Sequence, residues 1–231
     1  MNVQEIAEQV VTKNLRIGAG DQVLIATHDH TIPLAEALAA ACYRVGAIPL
    51  VRLFTDGLYR TMLSEIPDDV LRKVPTPLLA AYDHYTADIA LSGPKDPAIF
   101  EGTSPARMAA MYHASRPITD KARERKVRSA WLMTGHATPE RGRRYGVDHR
   151  AWEDFINEGL SADPSELASA GQRLANVLRG GKQVRITGPG TDLTVNLIGR
   201  QPQVQDGIVD EQDLAIGNRQ GFLPTGFVRV A

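Results

Sequence analysis

VLIATHDHTIPLAEALAAACYRVGAIPLVRLF, residues 23–54, reads as strand, helix, strand. Val23–Thr27 is a short apolar run of the buried-strand type. The turn His28-Asp-His30 follows. Thr31 then stands at a helix N-cap with Pro33 in the first turn. Leu34, Leu38, Cys42 and Val45 mark one apolar helix face, which Gly46 closes. Ile48–Phe54 is the second strand. A crossover of this length suits two parallel strands with a right-handed connection.

The same alternation extends outward. Val3, Ile6, Ala7, Val10, Val11 and Leu15 form a helical stripe that Gly18 and Gly20 end. Helical segments are expected near 57–65 and 67–82, and strands at 87–92 and 128–134. Pro105 opens a helix expected to stop before Arg116-Pro117. Trp152, Phe155, Ile156 and Leu160 give another helical face. Asp163-Pro-Ser-Glu166 caps a last helix that runs to Gly180-Gly181. Strands alternating with helices argue for a parallel sheet covered on both faces. From Lys182 the period drops to two: Val184 and Ile186, the turn Gly188-Pro-Gly-Thr-Asp192, then Leu193, Val195 and Leu197 predict a hairpin. The expected fold is α/β. Residues 1–181 form an N-terminal domain with a mostly parallel, helix-covered sheet, and 182–231 hold the hairpin and first strands of an incomplete second, α+β domain.

Composition narrows the function. The 231 residues are 43% hydrophobic and 23% charged with a formal net charge of −1, which gives no bulk attraction to nucleic acid or anionic lipid. No run approaches ~18 consecutive apolar residues, so no membrane span is expected, and the N-terminus lacks a signal-peptide pattern. A cytoplasmic protein is the expectation. Cys42, the single cysteine, falls on an apolar helix face and reads as core. Lys121–Arg128 reads as a solvated connector, with phosphate or nucleic-acid contact as its alternative, and Arg141–Arg144 as a solvated loop, with a carboxylate anchor as its alternative.

His28, Asp29 and His30 carry the most chemical content, at the carboxyl end of the first strand, where open α/β sheets place ligands. The two imidazoles could share a metal, contact substrate or another domain at a rim, or form a polar turn with a helix cap. Asp56 after the second strand and His136 after the Trp131 strand would line the same crevice if the sheet is parallel; the competing reading is unrelated polar loops. Thr27–Thr31 contains no glycine, which argues against a phosphate-cradling loop. His84, His113 and His149 read as structural or solvated.

Thr187-Gly-Pro-Gly-Thr-Asp-Leu-Thr-Val195 with Gly199-Arg200, and Phe222-Leu-Pro-Thr-Gly-Phe-Val228, resemble segments of the aminopeptidase T-like, thermophilic-type metalloaminopeptidases. The order of the upstream elements agrees with that family over the whole chain. The resemblance implies an α/β domain followed by a domain with two metal ions, zinc or cobalt, that removes N-terminal residues from peptides. The terminal apolar strand is expected to expose an unpaired edge, which favours a homodimer or aggregation. The family's first metal ligand would be a Glu, at the position held here by Phe227, and Phe222 stands where the family has Asn. A phenyl ring ligates no metal, and the family's other ligands lie beyond position 231. This chain alone is therefore expected to hold no metal and to be inactive. A binding or assembly paralogue, or a diverged metal-dependent hydrolase or ring-opening enzyme in complete form, is the alternative. A reading frame continuing past Ala231 with spaced His and Asp/Glu residues would favour the enzyme, and a stop there the binding module.

Overall fold

The computed structural model describes residues 1–230. Helix α1 (Val3–Gln9) continues as a π-helical turn, Val10–Asn14, and leads to β1 (Gln22–His28), α2 (Ile32–Arg44) and β2 (Ile48–Phe54). Three short helices follow: α3 (Asp56–Ser64), α4 (Asp68–Leu71) and α5 (Thr76–Ala81). Then come β3 (Ala87–Leu91), α6 (Pro105–Glu124), β4 (Arg128–Leu132), α7 (Pro139–Tyr145), α8 (His149–Leu160) and α9 (Pro164–Gly180). The remainder is β5 (Gln183–Gly188), β6 (Thr191–Asn196), β7 (Pro202–Gln205), α10 (Glu211–Ala215), β8 (Gln220–Leu223) and β9 (Phe227–Val230).

The main sheet has the order β2-β1-β3-β4-β8, and every neighbouring pair is parallel, as the alternation of strands and helices required. The period of two then assigns the faces. Val23, Ile25, Ile89, Leu91, Leu132 and Leu223 pack with the apolar sides of α1, α2 and α8, and Cys42 is buried among them. On the opposite face Leu24 and Val127 meet Tyr82, Ile118 and Ala122. Strand β2 forms one edge. The Ile48 N–H donates to the Asp21 carbonyl at 2.8 Å, so the alternate position, Pro49, faces away from β1. Proline has no N–H for a further strand, which suits it to an edge.

Three differences from expectation have physical causes. Helix α6 runs through Pro117 to Glu124 instead of stopping before it. Ile118 and Ala122, one turn apart, both belong to the cluster on the second face, and that burial outweighs the hydrogen bond a proline removes. Residues 139–145 form a helix and not a loop, because the Thr138 side chain caps it and Pro139 occupies the first turn. Finally, β8 lies beyond the expected boundary at Gly180-Gly181, yet it pairs with β4 as the fifth strand of the sheet. A Cβ at Gly221 would sit 3.1 Å from the Gly207 carbonyl oxygen, so the small residue allows that close approach.

The hairpin β5–β6 forms as read, with Pro189-Gly190 between the paired Gly188 and Thr191 and Gly190 at φ +71°. It makes a separate two-stranded sheet, and β7 pairs antiparallel with β9 in another. The basic run ending at Arg128 is largely paired internally. Lys121 meets Asp83, Arg123 meets Asp120, and Arg128 meets Asp21 at 2.6 Å. Asp21 also accepts from the Thr86 hydroxyl and the Gly18 N–H. Burial acts to raise its carboxyl pKa, but these hydrogen bonds and Arg128 outweigh that and hold it below the usual value.

Candidate functional site

The chain crosses from one side of β1 to the other between β2 and β3, so the carboxyl ends of β1 and β3 form a topological switch point. Loops diverge there and leave a crevice, the usual ligand position in open α/β sheets. His28 ends β1, and Ser92 follows β3 at φ +38°, a backbone angle that L-residues rarely adopt. Such strain concentrates at ligand-binding turns.

The turn after β1 is fixed by hydroxyls. The Thr31 Oγ1 lies 2.9 Å from Thr27 Oγ1 and accepts from the His28 N–H at 3.1 Å. Thr31 thus braces the turn and makes no side-chain cap on α2, although it occupies the expected N-cap position. His28 is buried, stacked on Tyr59 and Phe54 with ring centroids 5.7 and 6.0 Å away. Its Nδ1 is buried with no hydrogen-bond partner among the described residues. Burial lowers its pKa, helped by His30 and partly opposed by Asp56 and Asp29. His30 lies 6.0 Å from His28 between ring centroids, and its Nε2 is 3.2 Å from the Gly135 carbonyl oxygen. A carbonyl only accepts, so that nitrogen carries a proton. Asp29 is about half exposed and accepts from the His30 N–H, bracing its own turn.

His136 sits on the loop after β4, edge-on to Trp152 and Trp131. Its Nδ1 is 3.4 Å from Ser92 Oγ, and its Nε2 is 3.3 Å from Arg141 Nη1. Arginine has no acceptor, so Nε2 offers its lone pair and the proton resides on Nδ1. The imidazole is therefore neutral. Burial first, then Arg141 and His30, pushes its pKa down to about 4. Arg141, expected on a solvated surface, is only 7% exposed. Its Nη2 donates to the Pro94 carbonyl at 2.6 Å. Asp56 closes the β2 side by accepting from the Lys95 and Asp96 N–H groups at 2.9 and 3.0 Å.

The structure thus brings His28, His30, Asp56 and His136 to one end of the sheet and turns Asp29 outward. Ser92, Thr138, Arg141 and Glu153 belong to the same end. Sequence reasoning missed the role of Arg141, although the Thr138-Pro139 cap places it at the third helical position, on the turn facing the crevice. Buried polar atoms without partners also gather there: His28 Nδ1, Thr134 Oγ1, Arg141 Nε and Glu153 Oε2. Such atoms call for a polar ligand or ordered water.

A metal fits poorly. Among the described residues no three His, Cys, Asp or Glu side chains come together to hold an ion. Phe227 pairs with Gln205 across β7 and β9, and its ring lies 5.9 Å from that of Phe222, so this position is apolar. No described helix is long and apolar enough to cross a membrane.

A family model described as thermophilic metalloprotease (M29) matches residues 1–209. No curated relative matches the sequence. Wild-type AmpT from Thermus thermophilus has a TM-score of 0.75 at 24% identity, covering 99% of this chain and 61% of that one. A 2,5-dihydroxypyridine dioxygenase from Pseudomonas putida KT2440 has a TM-score of 0.52 at 11% identity, covering 99% of this chain and 55% of its own. At these identities both structures show a shared fold alone. This chain spans less than two thirds of either.

Proposed function

We propose a function from one premise: this chain belongs to the thermophilic metalloprotease (M29) family. The reading is an aminopeptidase-like metalloprotein, acting on peptide N-termini with zinc or cobalt, to which residues 1–231 contribute the peptide-facing crevice and not the metal. The switch-point crevice carries this reading. Its buried atoms without partners, the His28 Nδ1, Thr134 Oγ1, Arg141 Nε and Glu153 Oε2, are the ones free to meet a peptide, while Gly135, Ser92 and Arg141 hold His30 and His136 in place. Neutral imidazoles accept and donate hydrogen bonds as peptide groups require. Arg141 supports the loop that carries Pro94 and fixes the His136 tautomer, which makes it a positioning residue. A divalent ion in this family would polarise the scissile carbonyl and activate water. Among the described residues no three His, Cys, Asp or Glu side chains gather to hold such an ion.

The 231-residue protein is accordingly expected to show no zinc- or cobalt-stimulated release from an aminoacyl p-nitroanilide. Metal-dependent turnover by this chain would overturn the division of labour. The dioxygenase likeness adds no activity, since one fold hosts many chemistries.

A binding or assembly role is the second reading, and one observation favours it. Ile186 and Leu193, a cross-strand pair on the hairpin, are 49% and 51% exposed. Apolar surface of this kind marks contact sites. Homodimerisation through the hairpin is expected, and Leu193→Lys should return the protein to monomer. A monomer at ~50 µM by light scattering, where an interface of micromolar affinity is populated, would count against it.

A further inference from the structure

We infer that a second cavity, which shares Phe54 and Tyr59 with the wall behind His28, binds a medium-chain monocarboxylate. It lies between β2 and helices α3–α6 and has a volume of about 360 Å³. That size falls within the roughly 300–1,000 Å³ of small-molecule sites. Its walls are apolar and come from separate elements: Phe54, Met62, Leu78, Met111 and Ile118. Methionine pairs with flexible thioethers suit an unbranched, conformationally variable tail.

Arg52 gives the cavity its polarity. It lines the space from the edge strand, with its guanidinium carbon 4.3 Å above the Phe54 ring. It makes no hydrogen bond or ion pair with any described residue. The other arginines lacking such partners, Arg60, Arg72, Arg150, Arg173 and Arg200, are all exposed, whereas Arg52 is half-buried. A desolvated guanidinium with five free N–H donors is costly unless an acceptor meets it, and a cation–π contact compensates only in part. No aspartate or glutamate lines the cavity, and its second cation, Lys73, pairs outside it with Asp69 at 3.8 Å. One planar fork facing an acid-free apolar space matches one carboxylate with a hydrocarbon body. This inference stands apart from the peptidase reading, because neither Arg52 nor the α4–α6 wall belongs to the crevice.

The test is isothermal titration of the 231-residue protein with decanoate, with 1-decanol and decyltrimethylammonium as head-group controls. Decanoate should saturate one site per chain and bind about 10-fold or more tightly than either control. Arg52→Gln should weaken decanoate about 10-fold, with Arg52→Lys retaining part of the affinity. Ala114→Phe, which fills the space from α6, should abolish binding while leaving the circular dichroism spectrum unchanged. Should Arg52→Gln not fold, the head-group series and Ala114→Phe decide the matter. Equal binding of the cationic probe, absence of a saturable site, or unchanged affinity in Ala114→Phe would overturn the proposal.

Discussion

Gly135→Ala is expected to destabilise the protein by about 2–4 kcal/mol, combining left-handed backbone strain with overpacking. Gly135 has φ +76°, and a Cβ there would come 2.6 Å from Thr31 Cγ2. That methyl cannot swing aside. Rotating it would pull Thr31 Oγ1 from Thr27 and from the His28 N–H. The Gly135 carbonyl also receives His30. The substitution must therefore displace either the turn that carries His28 and His30 or the loop that carries His136. Urea denaturation reads the loss. The double variant Thr31→Ser/Gly135→Ala, which deletes the methyl and keeps the hydroxyl, should recover the steric part of it. A single variant within about 0.5 kcal/mol of the parent would show that the two loops do not brace each other in this way.

Acidification is the second large effect. The folded-state pKa of His136 is about 4 against an ordinary 6.5. As pH falls below 6.5 the unfolded chain takes up a proton that the folded chain refuses. Stability is therefore full above the unfolded value and declines toward the folded one. Between pH 7 and 4.5 the loss through His136 should be about 2 kcal/mol. His28 is shifted in the same direction and adds to the slope. Asp21 does not interfere in this window, because its carboxyl lies below 3.8 and its contribution is lost only as pH falls through that lower value. His136→Gln keeps an acceptor for Arg141 without a titrating ring, and should remove the His136 share of the slope; Asp88 and Asp213, whose carboxyls burial raises, act with the opposite sign and are the same in both proteins. An imidazole resonance of His136 titrating near 6.5 would refute the argument.

The parallel sheet was legible because its strands are short apolar runs separated by well-capped helices. Residues 23–54 alone specify a parallel pair, and the hairpin turn at Pro189-Gly190 follows from glycine and period-two patterning. Strand β8 was not legible as part of that sheet. Gln220–Leu223 has only two apolar side chains, and its place beside β4 depends on the absence of a side chain at Gly221, a tertiary fact. Pro117 misled for a similar reason, since propensity argued for a stop and burial of Ile118 and Ala122 overrode it. At the crevice, strand-end position alone pointed to His28, His30, Asp56 and His136. The roles of Ser92 and Arg141 were hidden, because one depends on a positive φ and the other on a short helix that turns a basic run inward. The family resemblance carried the peptidase expectation, and the family-model match over residues 1–209 bears out the family.

We propose that residues 1–231 supply a polar crevice and not the family's metal ligands. Equilibrium dialysis of the 231-residue protein against cobalt, followed by metal analysis, tests it most directly. The donor arrangement predicts that bound cobalt falls well below one ion per chain after dialysis into metal-free buffer. One ion per chain, retained and then released by His28→Ala or His30→Ala, would contradict the claim and make those two imidazoles metal ligands.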